Sequence, residues 1–138
     1  MKSDNPKSAA RHDTETFNSK AILLVDDDQQ LVEALKWILD DEKIQVDIAL
    51  NGEDALAKVQ NKEYDAVVCD MVMPKMDGAQ FHARATELFP SLAEKFVFIT
   101  GHPEDPRSWE FITCSQSKCL LKPFPMDDFL ATVKKTLS

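Results

Sequence analysis

The chain has 138 residues, 24 acidic and 16 basic side chains, a formal charge of −8 and three glycines. That length suits one compact domain, large enough to bury about two thirds of its unfolded surface. The glycines, Gly52, Gly78 and Gly101, are scattered and build neither GxGxxG nor GxxxxGK[ST], which excludes dinucleotide and P-loop nucleotide binding. The acid excess argues against a nucleic-acid surface, which needs clustered Lys and Arg.

Residues 1–19 are polar, carry three acids and three bases, and lack the apolar core of a secretory signal. They are expected to form a disordered tail, and the whole charge excess then belongs to residues 20–138. No apolar run approaches the 18 residues a membrane span needs, so no membrane role is expected. Cys69, Cys114 and Cys119 are odd in number and have no metal-site spacing, as expected of reduced thiols in a cytoplasmic protein.

From Lys20 the pattern changes. Ala21-Ile22-Leu23-Leu24-Val25 is wholly apolar, and so are Ala66-Val67-Val68-Cys69 and Phe96-Val97-Phe98-Ile99. Continuous apolarity without alternation marks strands buried on both faces, as in a parallel sheet. Val46-Asp47-Ile48-Ala49 and Cys119-Leu120-Leu121 read as weaker strands nearer the edges. Helical spacing follows each strand: Leu31, Leu35, Ile38 and Leu39; then Ala55, Leu56 and Val59; then Phe81, Ala85 and Leu88, ending before Pro90; then a weak pattern at Trp109 and Ile112; then Phe129, Leu130, Val133 and Leu137. Five repetitions of strand then helix predict a single doubly wound α/β domain, (βα)5, with helices on both faces of a five-stranded parallel sheet.

Ligands of such sheets sit at the carboxyl ends of the strands. The first strand is followed by Asp26, Asp27 and Asp28, the third by Asp70, the fourth by Thr100 and Gly101, and the fifth by Lys122 and Pro123. Carboxylates, a hydroxyl and an ammonium therefore converge on one rim. Clustered carboxylates repel and raise one another's pKa, so the arrangement calls for a hard cation such as Mg²⁺. A carboxylate beside that cation, Lys122 and Thr100 is equipped to attack phosphorus. Asp28, Asp77, Asp127 and Asp128 read more simply as helix caps or first-turn acids. Met71, Met73 and Met76 read as loop packing, and His82 as an inert residue on a polar helix face.

The residues Val25-Asp26-Asp27-Asp28, the run from Asp70 through Met73-Pro74 to Asp77-Gly78, the pair Thr100-Gly101 and the triplet Lys122-Pro123-Phe124, with Ala49-Leu50-Asn51-Gly52, resemble the receiver domain of two-component response regulators over about residues 20–138. The resemblance implies a flavodoxin-like strand order, 2-1-3-4-5. It implies Asp70 as phosphoacceptor and a Mg²⁺ site made by Asp26, Asp27, Asp70 and the backbone carbonyl of Val72. It further implies phosphoryl contacts from Thr100 and Lys122, and a cis peptide before Pro123. Gly101 would let backbone come close to the phosphoryl group, and His102 would gate the pocket. A histidine kinase or histidine phosphotransfer protein would donate the phosphoryl group, and an unknown downstream protein would read the result. The expected protein is a stand-alone receiver, a phosphoacceptor with slow autodephosphorylation rather than a turnover enzyme.

One position departs from the pattern. The family usually places Tyr or Phe three residues before the Lys, and here that position is Cys119. A thiol cannot swing inward as an aromatic does, which puts the usual switch in doubt. The alternative is a pseudo-receiver, a binding module acting without phosphorylation. A phosphatase of the haloacid-dehalogenase type fits less well, because Gln30 stands where its motif needs Thr or Val.

Overall fold

The computed structural model describes residues 19–101 and 118–138. The expected tail and the weak fourth helical pattern, with His102, Trp109 and Cys114, therefore fall outside the described residues, Ser19 apart. Five parallel strands, β1 (Ala21–Val25), β2 (Gln45–Ala49), β3 (Ala66–Asp70), β4 (Phe96–Thr100) and β5 (Lys118–Leu121), form one sheet in the order β2-β1-β3-β4-β5. The helices are α1 (Gln29–Asp41), α2 (Gly52–Asn61), α3 (Gly78–Leu88) and α4 (Met126–Leu137), with a short 3-10 turn at Pro90–Glu94 that the apolar spacing does not reveal. Among the described residues no helix is long and apolar enough to cross a membrane.

The three wholly apolar strands are the central ones, and every residue of β1, β3 and β4 is buried. Alternate residues feed two cores. Leu23, Val25, Val67, Cys69, Phe96 and Phe98 meet Ala55 and Val59 of α2 and Phe81 and Ala85 of α3. Ile22, Leu24, Val68, Val97 and Ile99 meet Val32, Leu35 and Leu39 of α1 and Phe129 and Val133 of α4. The strands are apolar throughout because both faces are covered. Truncating a fully buried ring such as Phe81 or Phe129 to alanine costs about 3–5 kcal/mol.

Side chains start the helices. Asp28 accepts from the Leu31 N–H at 3.2 Å, and Asn51 accepts from Asp54 at 2.8 Å. Asp77 and Gln80 form a reciprocal capping box, at 2.8 and 3.1 Å. Helix α4 starts after Pro125 without a side-chain cap, and Asp127 and Asp128 lie in its first turn, where the helix dipole favours acids. Asp28 and Asp77 are thus caps, as their positions suggest. His82 is not the inert surface residue expected: its half-buried ring stands edge-on to Phe96, 4.7 Å between centroids, and burial lowers its pKa. Trp37, in contrast, is 76% exposed on α1.

Candidate functional site

Strand order decides what meets at the carboxyl rim. β1 lies between β2 and β3, with Val25 in register with Cys69, so the residues that follow them, Asp26 and Asp70, stand side by side. Both are buried, Asp26 at 1% exposure and Asp70 at 5%, whereas Asp27 is exposed. Carboxylate oxygens of Asp26, Asp27 and Asp70 lie within 4.8 Å of one another. On the other side of β3, Thr100 closes β4 and is buried. Its carbonyl accepts from the Lys122 N–H at 2.8 Å, which brings the end of β5 to the same rim.

Lys122 crosses to the acids. Its Nζ donates to Asp26 Oδ2 at 3.0 Å and stands 3.5 Å from Asp70 Oδ2. Asp26 Oδ1 accepts from the Asp28 N–H at 2.9 Å, so both its oxygens are engaged. Asp70 Oδ1 accepts only a long bond from the Val72 N–H, 3.3 Å, among the described residues. The peptide between Lys122 and Pro123 is cis.

Charge follows this geometry. Burial first, then the Asp26 charge, pushes Asp70 up to about 6, against the pull of Lys122 and the Val72 N–H. For Lys122, burial would lower the pKa, but its hydrogen bonds and charge interactions with Asp26 and Asp70 outweigh that and raise it. One ammonium therefore serves two buried carboxylates and satisfies Asp26 better. The remaining negative charge, three carboxylates with hard oxygen donors in one small space, fits Mg²⁺, which takes carboxylate oxygens and keeps water ligands.

The rim unites Asp26, Asp27, Asp70, Thr100 and Lys122. Val72 is exposed at the start of the loop after β3. Met71 and Met73 of that loop are buried and Met76 is half-buried, as packing residues. Cys119 is half-buried in β5 opposite Phe98, and burial raises its thiol pKa. A Cβ at Gly101 would meet Lys122 Cδ at 3.7 Å and Cβ at 3.8 Å, ordinary contacts among the described residues. The close approaches lie at Gly52 and Gly78 instead.

Sequence reading missed a second polar cluster. The Tyr64 hydroxyl donates to Asp47 Oδ2 at 2.6 Å, and Lys62 Nζ donates to the same oxygen at 3.1 Å. The signal available was one aspartate between Val46 and Ile48 of the edge strand β2. Tyr64 and Lys62 also line a cavity of about 450 Å³, with Phe89, Leu92 and Lys95.

The fold and rim define a single-sheet parallel α/β domain with an acidic cluster at its switch point. The family model for the response regulator receiver domain matches residues 22–134. The response regulator receiver protein CpdR of Brucella abortus is 33% identical over 118 residues, which are 86% of this chain and 97% of that protein. A CheY-like receiver domain protein from Methanospirillum hungatei superposes with a TM-score of 0.79 at 29% identity, over 86% of this chain and 93% of that one. The response regulator protein TrrA of Thermotoga maritima, solved in complex with Mg²⁺-BeF, superposes with a TM-score of 0.72 at 31% identity, over 86% and 99% of the two chains. The chain spans only half or less of several longer curated relatives, transcriptional regulators among them. The chain belongs to the response regulator receiver domain family of two-component signal transduction.

Proposed function

We propose that this receiver accepts a phosphoryl group on Asp70, in a Mg²⁺-dependent reaction, from a histidine kinase or histidine phosphotransfer protein in the cytoplasm. The phosphorylated form then signals or relays through protein–protein contacts. The observation that carries this reading is the state of the Asp70 carboxylate. It is buried, crowded by Asp26 and only partly neutralised by a Lys122 already held at 3.0 Å by Asp26.

Asp26, Asp27, Asp70 and the backbone carbonyl of Val72 would hold Mg²⁺. When bound, the cation supplies charge neutralisation for the phosphoryl oxygens and a fixed orientation for them. The chain's own groups do the rest. An Asp70 oxygen attacks phosphorus in line as the phosphorus–nitrogen bond to the donor histidine breaks, and the electron pair of that bond leaves with the imidazole nitrogen. Lys122, lying between the two carboxylates, turns toward a phosphoryl oxygen. The Thr100 hydroxyl donates to a second oxygen, and the Gly101 backbone lies beside it. Water attack on the same phosphorus breaks its bond to the Asp70 oxygen and releases inorganic phosphate, which returns the carboxylate and gives slow autodephosphorylation. Cys119, in place of the usual aromatic, makes the phosphorylation-dependent surface differ from that of most of the family.

The test is incubation of the full chain with Mg²⁺ and a small acyl phosphate, followed by intact-mass measurement. One phosphoryl adduct is expected, absent in Asp70→Asn and absent in EDTA. A wild-type chain that stays unmodified under conditions that phosphorylate a control receiver overturns the proposal and leaves a pseudo-receiver.

A further inference from the structure

Two glycines mark places where a side chain has no room. At Gly78, a Cβ would stand 2.5 Å from the Asp70 carbonyl oxygen and 2.9 Å from Met71 Cα, so the start of α3 presses on the strand that carries the site. Gly52 opens α2, a helix that contributes no residue to the site. A Cβ there would stand 2.6 Å from the Met76 carbonyl oxygen, 2.8 Å from Met76 Cβ and 2.9 Å from Met76 Cγ. That is roughly 0.8 Å short of an ordinary contact with the backbone oxygen.

Met76 belongs to the loop that leaves Asp70. The loop is tied at its two ends: the Met71 N–H bonds the Ile99 carbonyl at 3.0 Å, and the Gly78 N–H bonds the Met71 carbonyl at 3.0 Å. Between those ties it makes a tight turn, with the Met76 N–H on the Pro74 carbonyl at 2.8 Å and Lys75 at φ 70°. A non-glycine residue at positive φ persists where its surroundings hold it there. The first turn of α2, resting on the Met76 backbone, is such a support, and it can come that close because residue 52 lacks a side chain.

We infer that Gly52 is a positioning residue of the cation site. It lets α2 bear on Met76 and holds the loop between Met71 and Gly78, which carries the Val72 carbonyl that would take the cation. This rests on the reading that Val72 and the three aspartates hold Mg²⁺. Mg²⁺ demands near-ideal octahedral geometry at about 2.0–2.1 Å, so a displacement of several tenths of an ångström in that loop is felt at the metal. A side chain at residue 52 forces such a displacement, because the nearest obstacle is backbone.

The experiment is titration of the full chain with Mg²⁺ alone, by isothermal calorimetry, for wild type, Gly52→Ala and Val59→Ala. Val59 is a buried residue of the same helix, distant from the loop in sequence, and serves as a control for lost stability. Gly52→Ala is expected to bind Mg²⁺ about tenfold more weakly, the scale of lost support behind a metal ligand. Val59→Ala, destabilised, is expected to keep the wild-type constant. Adding Met76→Gly to Gly52→Ala removes the two side-chain clashes and is expected to recover part of the loss. An unchanged constant in Gly52→Ala, or an equal loss in Val59→Ala, overturns the inference. Should Gly52→Ala not fold, Met76→Gly decides, since it thins the same contact from the loop side. Weaker Mg²⁺ binding supports the inference, and a wild-type constant overturns it. A wild-type chain that takes up no Mg²⁺ removes the metal-site reading itself, and the positioning role with it.

Discussion

Asp47, midway along β2, accepts the Tyr64 hydroxyl at 2.6 Å and Lys62 at 3.1 Å. The Tyr64 hydrogen bond, stronger than the cost of burial, holds its carboxyl below the usual range. Asp70, at the end of β3, is pushed up to about 6 by burial and by Asp26. The two acids lie on one sheet, yet one is at ease when ionised and the other is not. Among the described residues, Asp47 shares its two donors with no other acid. Asp70 shares its cation with a neighbour that holds it more closely. The first arrangement stabilises the fold. The second stores unfavourable charge that the proposed cation and phosphoryl group would relieve, which is what a functional site needs and a structural one avoids.

Three substitutions sharpen or break this contrast. The largest effect is expected from Lys122→Ala. It leaves Asp26 buried and without its ammonium, and costs about 3 kcal/mol in urea unfolding of the metal-free protein. Millimolar Mg²⁺ should return part of that loss, because a cation at the three carboxylates takes over the neutralising role. No recovery would mean that the cluster is not a cation site.

Asp70→Asn comes next, with opposite sign. Removing the crowded charge is expected to stabilise the metal-free protein at pH 7 by about 1–2 kcal/mol, the usual gain on relieving a strained functional position. In Mg²⁺ the wild type should regain the difference. If Asp70→Asn is less stable than wild type in EDTA, the two acids are alike and the contrast fails.

The smallest effect belongs to Tyr64→Phe, about 1 kcal/mol of lost stability at pH 7, the value of one hydrogen bond. The pH dependence carries a definite sign. Asp47 has a lowered pKa in the folded state, so its contribution is present above its ordinary value near 4 and is lost as pH falls through the lowered one. The gap between wild type and Tyr64→Phe should therefore narrow between pH 5 and pH 3. A constant gap would assign the loss to packing of the ring.

Much of the rim was legible from residues alone. In a doubly wound sheet the residue after each strand faces the ligand side, and apolar runs as clean as Ala21 to Val25 leave little doubt where strands end. Asp26, Asp70, Thr100 and Lys122 were thereby placed together before any distance was known. Cys119 was equally legible, because its position is counted back from Lys122. The Tyr64–Asp47 bond was not, since 17 residues separate the pair and only the packing of α2 against the β2 edge brings the phenol over. The positive φ of Lys43 and Lys75 also left no mark, as neither residue is glycine. Gly52 and Gly78 read as scattered small residues until their neighbours were known.

By itself the sequence determined which segments are strands, which helices cover them and which acids stand at the strand ends, because burial on two faces and helical spacing are written in local order. The tertiary structure alone decided how the charges divide. Whether Lys122 satisfies Asp26 or Asp70, whether Asp47 finds a donor, and whether α2 can rest on Met76 all turn on differences of a few tenths of an ångström between residues far apart in the chain. Coulomb attraction, hydrogen bonding and steric contact change steeply over such distances, and residue order does not encode them.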